Sequence, residues 1–238
     1  MLGNAFKAEF LDFRKGIRVG HLEPRARITQ ILKLSLQQLY GQDFIIDRWG
    51  RGVYWQWICF LPRANRRAKP ISGGRNFSSA KFFIMVDREE ELFKTGLHVE
   101  RGLIQAPDSQ EDYRLRPDWD WHRLRQGLAP NGWWEREVRR PVEEDGFQVT
   151  LGSFGTGLQS FSGRLPPASD LREIIAKAPP DQWFVFQLHY PMTPEEVEGS
   201  AGPDLAAGML AVFRELTPVM NLCLEDAVTL RAAPGPVT

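Results

Sequence analysis

A succession of apolar segments rich in β-branched and aromatic residues places the strongest constraint on the fold. Residues 53–61 form a long run of this kind that stops at Pro62, and residues 81–86 and 92–100 follow, separated by a charged turn. Runs of this length and composition between turn signals are typical of strands, and short connections favour antiparallel pairing. The sequence therefore predicts an antiparallel meander, in which Gly96 marks a bulge or a close approach of two backbones.

Helical patterns flank this meander on both sides. The apolar spacing over residues 28–39 predicts a helix that ends at Gly41, and residues 169–176 predict another. Residues 203–226 predict a long helix that is apolar on more than one face, with a kink or break expected at Pro218. Because helices and strands do not alternate regularly, a doubly wound parallel sheet is disfavoured. The predicted fold is α+β, a mixed and mainly antiparallel sheet with helices packed on it.

Two further hairpins and a short helix are predicted after the meander. Residues 137–140 and 147–151 read as one hairpin, and a short helix over residues 119–128 precedes it. The glycine-rich stretch 152–157 lacks the Gly-Lys-Ser/Thr ending of a phosphate-binding loop. We therefore expect that stretch to form a hairpin turn.

Chain length and cysteine usage bear on domain number and on cofactors. With 238 residues, 42% hydrophobic and 25% charged, the chain has the size and composition of one globular unit. We expect a single α+β domain over residues 1–231 and a flexible tail over residues 232–238. Cys59 and Cys223 have no neighbours at metal-ligand spacing, so buried thiols are predicted, with no disulfide, metal or cofactor.

The sequence predicts a cytoplasmic protein with no membrane partner. Its first residues lack the apolar segment of a signal peptide. No apolar stretch approaches the roughly 18 residues that a membrane span needs.

Charge is distributed unevenly along the chain. Residues 1–81 contain 15 Lys/Arg and 5 Asp/Glu, a net charge of +10, and the remainder carries a net charge of −10. Such asymmetry indicates a part that faces a polyanion, or two parts that face each other or a partner.

The strongest functional signal lies in residues 63–81, where 19 positions include six basic residues and no acidic one. Guanidinium groups bind phosphate oxygens bidentately, and the small polar residues between them leave the segment adaptable. Trp55 and Trp57 lie two positions apart on the preceding strand, so their side chains are predicted to share one face. Aromatic rings on such a face can stack on unpaired bases. The predicted nucleic-acid-binding residues are Arg63, Arg66, Arg67, Lys69, Arg75, Lys81, Trp55 and Trp57. The alternatives are core tryptophans, an acidic protein partner for the basic loop, or a solvated loop.

Signals for catalysis are weaker. Asp118, Asp120 and His122 could converge on a metal in an extended strand, but no second ligand cluster accompanies them. His98 and His189 lie on predicted strands, where histidines are usually structural, and no pattern pairs either with a nucleophile. No catalytic residue is predicted.

These observations favour a non-enzymatic nucleic-acid-binding or adaptor protein. Segments 82–102 and 213–218 resemble uncharacterised bacterial α+β domains, and no family is assigned from them. The hypothesis places the protein in bacterial DNA metabolism or defence. One alternative is a subunit of a protein complex, in which the basic loop meets an acidic partner and the apolar C-terminal helix contacts a partner or a second copy. Another is an enzyme with an unrecognised site.

Overall fold

A computed structural model describes residues 5–67, 79–114, 120–130, 132–153 and 155–230. Within these residues, nine strands form one sheet, and all of their pairings are antiparallel. In chain order the strands are β1 (Leu11–Asp12), β2 (Gly16–Arg18), β3 (Phe44–Arg51), β4 (Tyr54–Pro62), β5 (Lys81–Asp87), β6 (Leu92–Arg101), β7 (Gln148–Ser153), β8 (Gly157–Ser162) and β9 (Phe184–Met192).

The order of strands across the main sheet is β3-β4-β5-β6-β9-β7-β8. β2 pairs with the first residues of β4, beyond the end of β5, and β1 pairs with β2. The predicted meander is confirmed as β4-β5-β6. β9 comes from late in the chain and lies between β6 and β7, so the centre of the sheet joins segments that are far apart in sequence.

Eight α-helices accompany the sheet in the described residues. They are α1 (Ile28–Tyr40), α2 (Arg63–Arg67), α3 (Asp120–Gly127), α4 (Trp133–Glu143), α5 (Ala168–Ala176), α6 (Pro194–Glu198), α7 (Gly202–Glu215) and α8 (Thr217–Cys223). α1 ends at Gly41, whose φ of 68° is the left-handed conformation that glycine adopts most easily. The predicted break at Pro218 separates α7 from α8. None of these helices is long and apolar enough to cross a membrane.

One of the two predicted hairpins is wrong. Residues 137–140 lie within α4 and do not form a strand, because Trp134, Val138 and Val142 recur every four residues and are buried together on one helical face. The second hairpin is confirmed, since β7 and β8 pair across the turn at residues 152–157.

The two faces of the sheet differ. On one face, the buried side chains of the sheet and of the long helices join in a single apolar cluster that extends from Phe6 to Val228. On the opposite face, a small cluster of Cys59, Leu61 and Phe83 adjoins buried polar residues. The confirmed fold is therefore an α+β arrangement in which the helices bury their apolar residues against one side of an antiparallel sheet.

Gly96 permits the close contact of β6 with β9. It lies opposite His189, and a Cβ atom at this position would be 2.2 Å from the carbonyl oxygen of Leu188. The predicted close approach at Gly96 is confirmed.

Candidate nucleic-acid interface

The predicted nucleic-acid-binding residues fall into three groups. Lys69 and Arg75 lie outside the described residues. Arg63, Arg66 and Arg67 lie on α2, directly after β4. Trp55, Trp57 and Lys81 lie on the neighbouring strands β4 and β5.

Two of the arginines on α2 lie beside acidic residues. Arg63 Nε donates to Asp43 Oδ2, and this ion pair holds the pKa of Asp43 below its usual value. Arg66 is half-buried, which lowers its pKa, and the nearby charge of Asp47 acts in the opposite direction. A phosphate group would therefore compete with carboxylates for both guanidinium groups.

Lys81 is 1% exposed and belongs to the interior of the sheet. Its Nζ donates to Glu100 Oε1 at 2.7 Å and lies 5.1 Å from the centre of the Trp57 ring. Burial alone would raise the pKa of Glu100, but Lys81 and His98 outweigh it and hold that pKa at about 2. This placement supports a structural role for Lys81, because a phosphate bound to Lys81 would leave the largely buried carboxylate of Glu100 without its ion-pair partner.

Trp55 and Trp57 do not share a face, contrary to the parity argument. The register between β3 and β4 shifts at Trp49/Gly50, so that Trp49 lies opposite Trp57 but Gly50 lies opposite Trp55. The extra residue in β4, Gln56, reverses the alternation. Trp55 consequently packs against the helix-covered core, and Trp57 packs against the small cluster on the opposite face.

The tip of the β3–β4 hairpin combines exposed basic and aromatic side chains. Trp49 is 70% exposed and lies between the exposed residues Arg48 and Arg51. The Arg48 guanidinium stacks on the Trp55 ring, 3.8 Å from its centre. Neither Arg48 nor Arg51 has an ion-pair partner in the part of the chain that the structure describes. Arg27 and Arg48 also line a groove of about 570 Å³ at this end of the sheet. We call Arg48, Trp49, Arg51 and Trp55 the hairpin tip. By the strand register, Arg48 and Trp55 lie on the helix-covered face of the hairpin and Trp49 on the opposite face.

The chain matches no protein-family model and no curated protein. Evidence for its function therefore lies in the positions, burial and charge of its own side chains.

Sequence reasoning missed Arg48, Trp49 and Arg51, which are the most exposed members of the hairpin tip. A signal for them is present in the stretch Arg48-Trp49-Gly50-Arg51-Gly52, where two glycines mark a turn and a tryptophan lies between arginines. Turns lie at the surface, so an aromatic residue beside a glycine turn is a candidate for exposure.

His98 and Glu100 form a satisfied polar chain on the face opposite the helices. His98 Nε2 is 3.4 Å from Glu100 Oε2, and the Gln187 amide lies 3.2 Å from His98 Nδ1. Burial is the main cause that lowers the pKa of His98. Since both ring nitrogens are engaged, this geometry agrees with a structural histidine.

His189 lies on the same face, also fully buried, but neither of its ring nitrogens has a hydrogen-bond partner among the described residues. Burial and the nearby Lys94 charge lower its pKa to about 3. His189 therefore remains neutral in the folded protein at ordinary pH.

The Asp118, Asp120 and His122 motif does not form an extended strand over its described part. Asp118 lies outside the described residues, and Asp120 begins α3. The Asp120 carboxylate accepts hydrogen bonds from Asn65 Nδ2 at 3.0 Å and from the Ala80 amide at 2.5 Å. In the described ranges, no three His, Cys, Asp or Glu side chains are grouped as a metal site would require.

The C-terminal helices contribute most of their apolar residues to the core. Leu205, Met209 and Phe213 of α7 are buried, and Leu210 and Val212 are partly buried. The exposed side of α7 presents small residues such as Gly208 and Ala211, which border a groove of about 430 Å³. Contact of this helix with a partner or a second copy remains a prediction.

Proposed function

We propose that this protein binds single-stranded nucleic acid, with the hairpin tip as the main contact surface. The observation that carries the proposal is a tryptophan, 70% exposed, between two exposed arginines that have no ion-pair partner among the described residues. A single exposed apolar residue is ordinary on a protein surface, so the proposal depends on the combination of an exposed tryptophan with neighbouring guanidinium groups.

Unpaired bases provide the partner that this chemistry fits. An aromatic face stacks on any base, and neighbouring guanidinium groups neutralise the phosphates that flank it. Arg48 is held by its stacking on Trp55, so it loses little conformational freedom when a ligand binds. A paired base offers no free face to Trp49, which favours a single strand over a duplex.

The basic residues of α2 extend the proposal toward the base of the same hairpin. Arg63 and Arg66 directly follow the last residue of β4, whereas the hairpin tip lies at the other end of that strand. A strand of several nucleotides could follow the hairpin between these two ends. In that arrangement the tip supplies stacking, and α2 with the basic segment that follows it supplies further phosphate contacts.

Fluorescence anisotropy with labelled single- and double-stranded oligonucleotides, titrated over salt, tests this function. We expect Trp49→Ala to weaken single-strand binding by about 1–3 kcal/mol, because base stacking is lost. Arg48→Gln and Arg51→Gln should each lower the slope of log affinity against log salt by about 0.7. Arg136→Gln removes an exposed charge on α4 and is the matched control, for which no change is expected.

Two results would redirect the proposal. Absence of binding at about 50 mM salt, where electrostatic association is strong, would contradict nucleic-acid binding and favour an acidic protein partner. The affinity for nucleic acid could instead be unchanged in the hairpin-tip variants and lost in an Arg63/Arg66/Arg67→Ala variant. That result would contradict the hairpin tip as the main contact surface and assign binding to the basic segment.

A further inference from the structure

A second basic surface lies far from the hairpin tip in the fold, in a cleft between α3 and α5. Its volume is about 1080 Å³, and its lining includes the last residue of β6. We name it the α3–α5 cleft, and the lining residues that matter are Arg101, Ile104, Trp121, Arg125, Arg172 and Glu173. A space of this size is ample for a small organic molecule.

The charge of the cleft is positive. Arg125 and Arg172 are exposed, and neither has an ion-pair partner in the described ranges. The carboxylate of Glu173 is engaged by Lys177 Nζ at 2.6 Å. Three guanidinium groups therefore line this space, and its one acidic side chain has a basic partner of its own.

Arg101 is the unusual member, because its charge is buried without a carboxylate partner among the described residues. It is 3% exposed, and its terminal nitrogens donate to the backbone carbonyls of Ala178, Pro179 and Gln182. Its Nε has no hydrogen-bond partner in the described part of the chain. Burial and the nearby Arg125 charge lower the pKa of Arg101, with Asp181 acting in the opposite direction. A buried cation held by neutral carbonyls is costly, and an anion nearby would offset that cost.

Trp121 supplies a second buried donor without an acceptor. Its Nε1 has no hydrogen-bond partner in the ranges that the structure describes, and its ring packs edge-on against Phe184, with 5.7 Å between centroids. The Arg101 guanidinium lies 5.7 Å from the centre of the same Phe184 ring. Two unpaired donors thus flank one phenyl ring at the cleft, and buried donors are rarely left unpaired in folded proteins.

The remaining lining combines polar residues, among them His122, Gln126 and Ser169, with apolar ones. Ile104 is 49% exposed, and Ile175 and Ala178 border the same space. A ligand that fits this surface would combine acceptor oxygens carrying negative charge with an apolar or aromatic body.

We propose that the α3–α5 cleft binds a small organic phosphate, in which Arg125 and Arg172 contact the phosphate oxygens, Arg101 supplies a fixed positive charge behind them, and Ile104 contacts the apolar body. A phosphate monoester is preferred to a carboxylate because its larger charge and three terminal oxygens can satisfy more than one guanidinium at once. This inference is independent of the nucleic-acid interface.

Isothermal titration calorimetry with phenyl phosphate as the probe tests the cleft. Saturable binding is expected for the native protein, and Arg125→Gln with Arg172→Gln should weaken it about tenfold or more. Both residues are exposed, so this double variant should fold normally. Arg136→Gln, outside the cleft, and Trp49→Ala, at the hairpin tip, should bind phenyl phosphate as the native protein does.

Two further readouts make the test specific. The indole N–H signal of Trp121 can be assigned in a nitrogen-15 NMR spectrum, because it is absent in Trp121→Phe. We expect this signal to shift when phenyl phosphate is added to the native protein. Inorganic phosphate should bind more weakly than phenyl phosphate, and Ile104→Ser should reduce the difference, because the apolar body contributes binding energy.

Three results would overturn the inference. One is the absence of saturable phenyl phosphate binding below about 10 mM. Another is binding that the Arg125/Arg172 double variant leaves unchanged, which would place the probe elsewhere. Equal affinity for benzoate and phenyl phosphate would refute the phosphate assignment.

Discussion

Individual buried side chains on the face opposite the helices set the electrostatic character of the sheet. His189 is neutral and unpaired within the described residues, with a pKa of about 3, whereas Glu100 is ionised and paired with Lys81. A histidine in an unfolded chain has a pKa near 6.5. Between about pH 6.5 and pH 3, the unfolded state therefore binds a proton that the folded state does not, and stability falls as pH falls.

His189→Leu should remove this part of the acid sensitivity. Because neither ring nitrogen has a described partner, the apolar replacement should be neutral or stabilising by about 1 kcal/mol near pH 7. Urea unfolding of the native protein and the variant over a pH series measures the free energy of unfolding and its dependence on pH. The variant should lose less stability than the native protein below about pH 6.

His21→Asn serves as the control for that comparison. His21 is exposed and has a positive φ of 54°, which asparagine tolerates. An unchanged pH profile in His189→Leu would contradict the assigned protonation state. A loss of more than about 2 kcal/mol near pH 7 would show that a hydrogen-bond partner had been removed.

Pairing between strands sets the geometry of the elements, and β6 with β9 is the central case. Nine residue pairs join these strands, from Phe93 with Met192 to Arg101 with Phe184. Lys94 and His98, which carry the polar face, and Arg101, which lines the α3–α5 cleft, all lie on β6. The position of β9 relative to β6 therefore affects both the polar face and the cleft.

Gly96→Ala should separate these two strands. The added methyl group would lie 2.2 Å from the Leu188 carbonyl oxygen and 2.6 Å from His189 Cα, and backbone atoms cannot move away easily. We expect a loss of about 3 kcal/mol or more in the free energy of unfolding, measured in urea.

Gly208→Ala provides the matched substitution on α7. Nothing lies within 4 Å of a Cβ atom at this position. Alanine should therefore stabilise the helix by about 0.5–1 kcal/mol. Equal effects at Gly96 and Gly208 would contradict the close contact between β6 and β9.

At the scale of the whole molecule, the core joins residues from the two ends of the described chain. The large apolar cluster includes Phe6 and Val228, and β9 lies between β6 and β7. A sheet that needs a late strand at its centre cannot be completed by the residues that precede that strand. The described fold should therefore behave as one cooperative unit.

A fragment of residues 1–182, which lacks β9 and the last three helices, should have no cooperative urea transition. The full chain should show one transition, with coincident midpoints by circular dichroism and tryptophan fluorescence. A cooperative transition in the 1–182 fragment would contradict the expectation that the described fold unfolds as one unit.

A fragment of residues 1–231 tests the expected flexible tail. Its free energy of unfolding in urea should equal that of the full chain.

Local stereochemistry and periodicity determined the parts of the protein that the sequence predicted correctly. The meander follows from apolar runs bounded by turns, the end of α1 from the left-handed preference of Gly41, and the break between α7 and α8 from Pro218. Each depends on residues that are adjacent or one helical turn apart. α4 was missed although Trp134, Val138 and Val142 recur every four residues, because residues 137–140 taken alone contain only one of these positions and do not reveal the spacing.

Only the tertiary structure decided which side chains are exposed and which lie together. The bulge at Gln56 sends Trp55 and Trp57 to opposite faces, and the pairing of β5 with β6 brings Lys81 to Glu100. Arg101 and Trp121 meet around Phe184 only because β6, α3 and β9 pack together. Burial and ion pairing depend on contacts between residues that are distant in the chain, and no local pattern specifies these contacts.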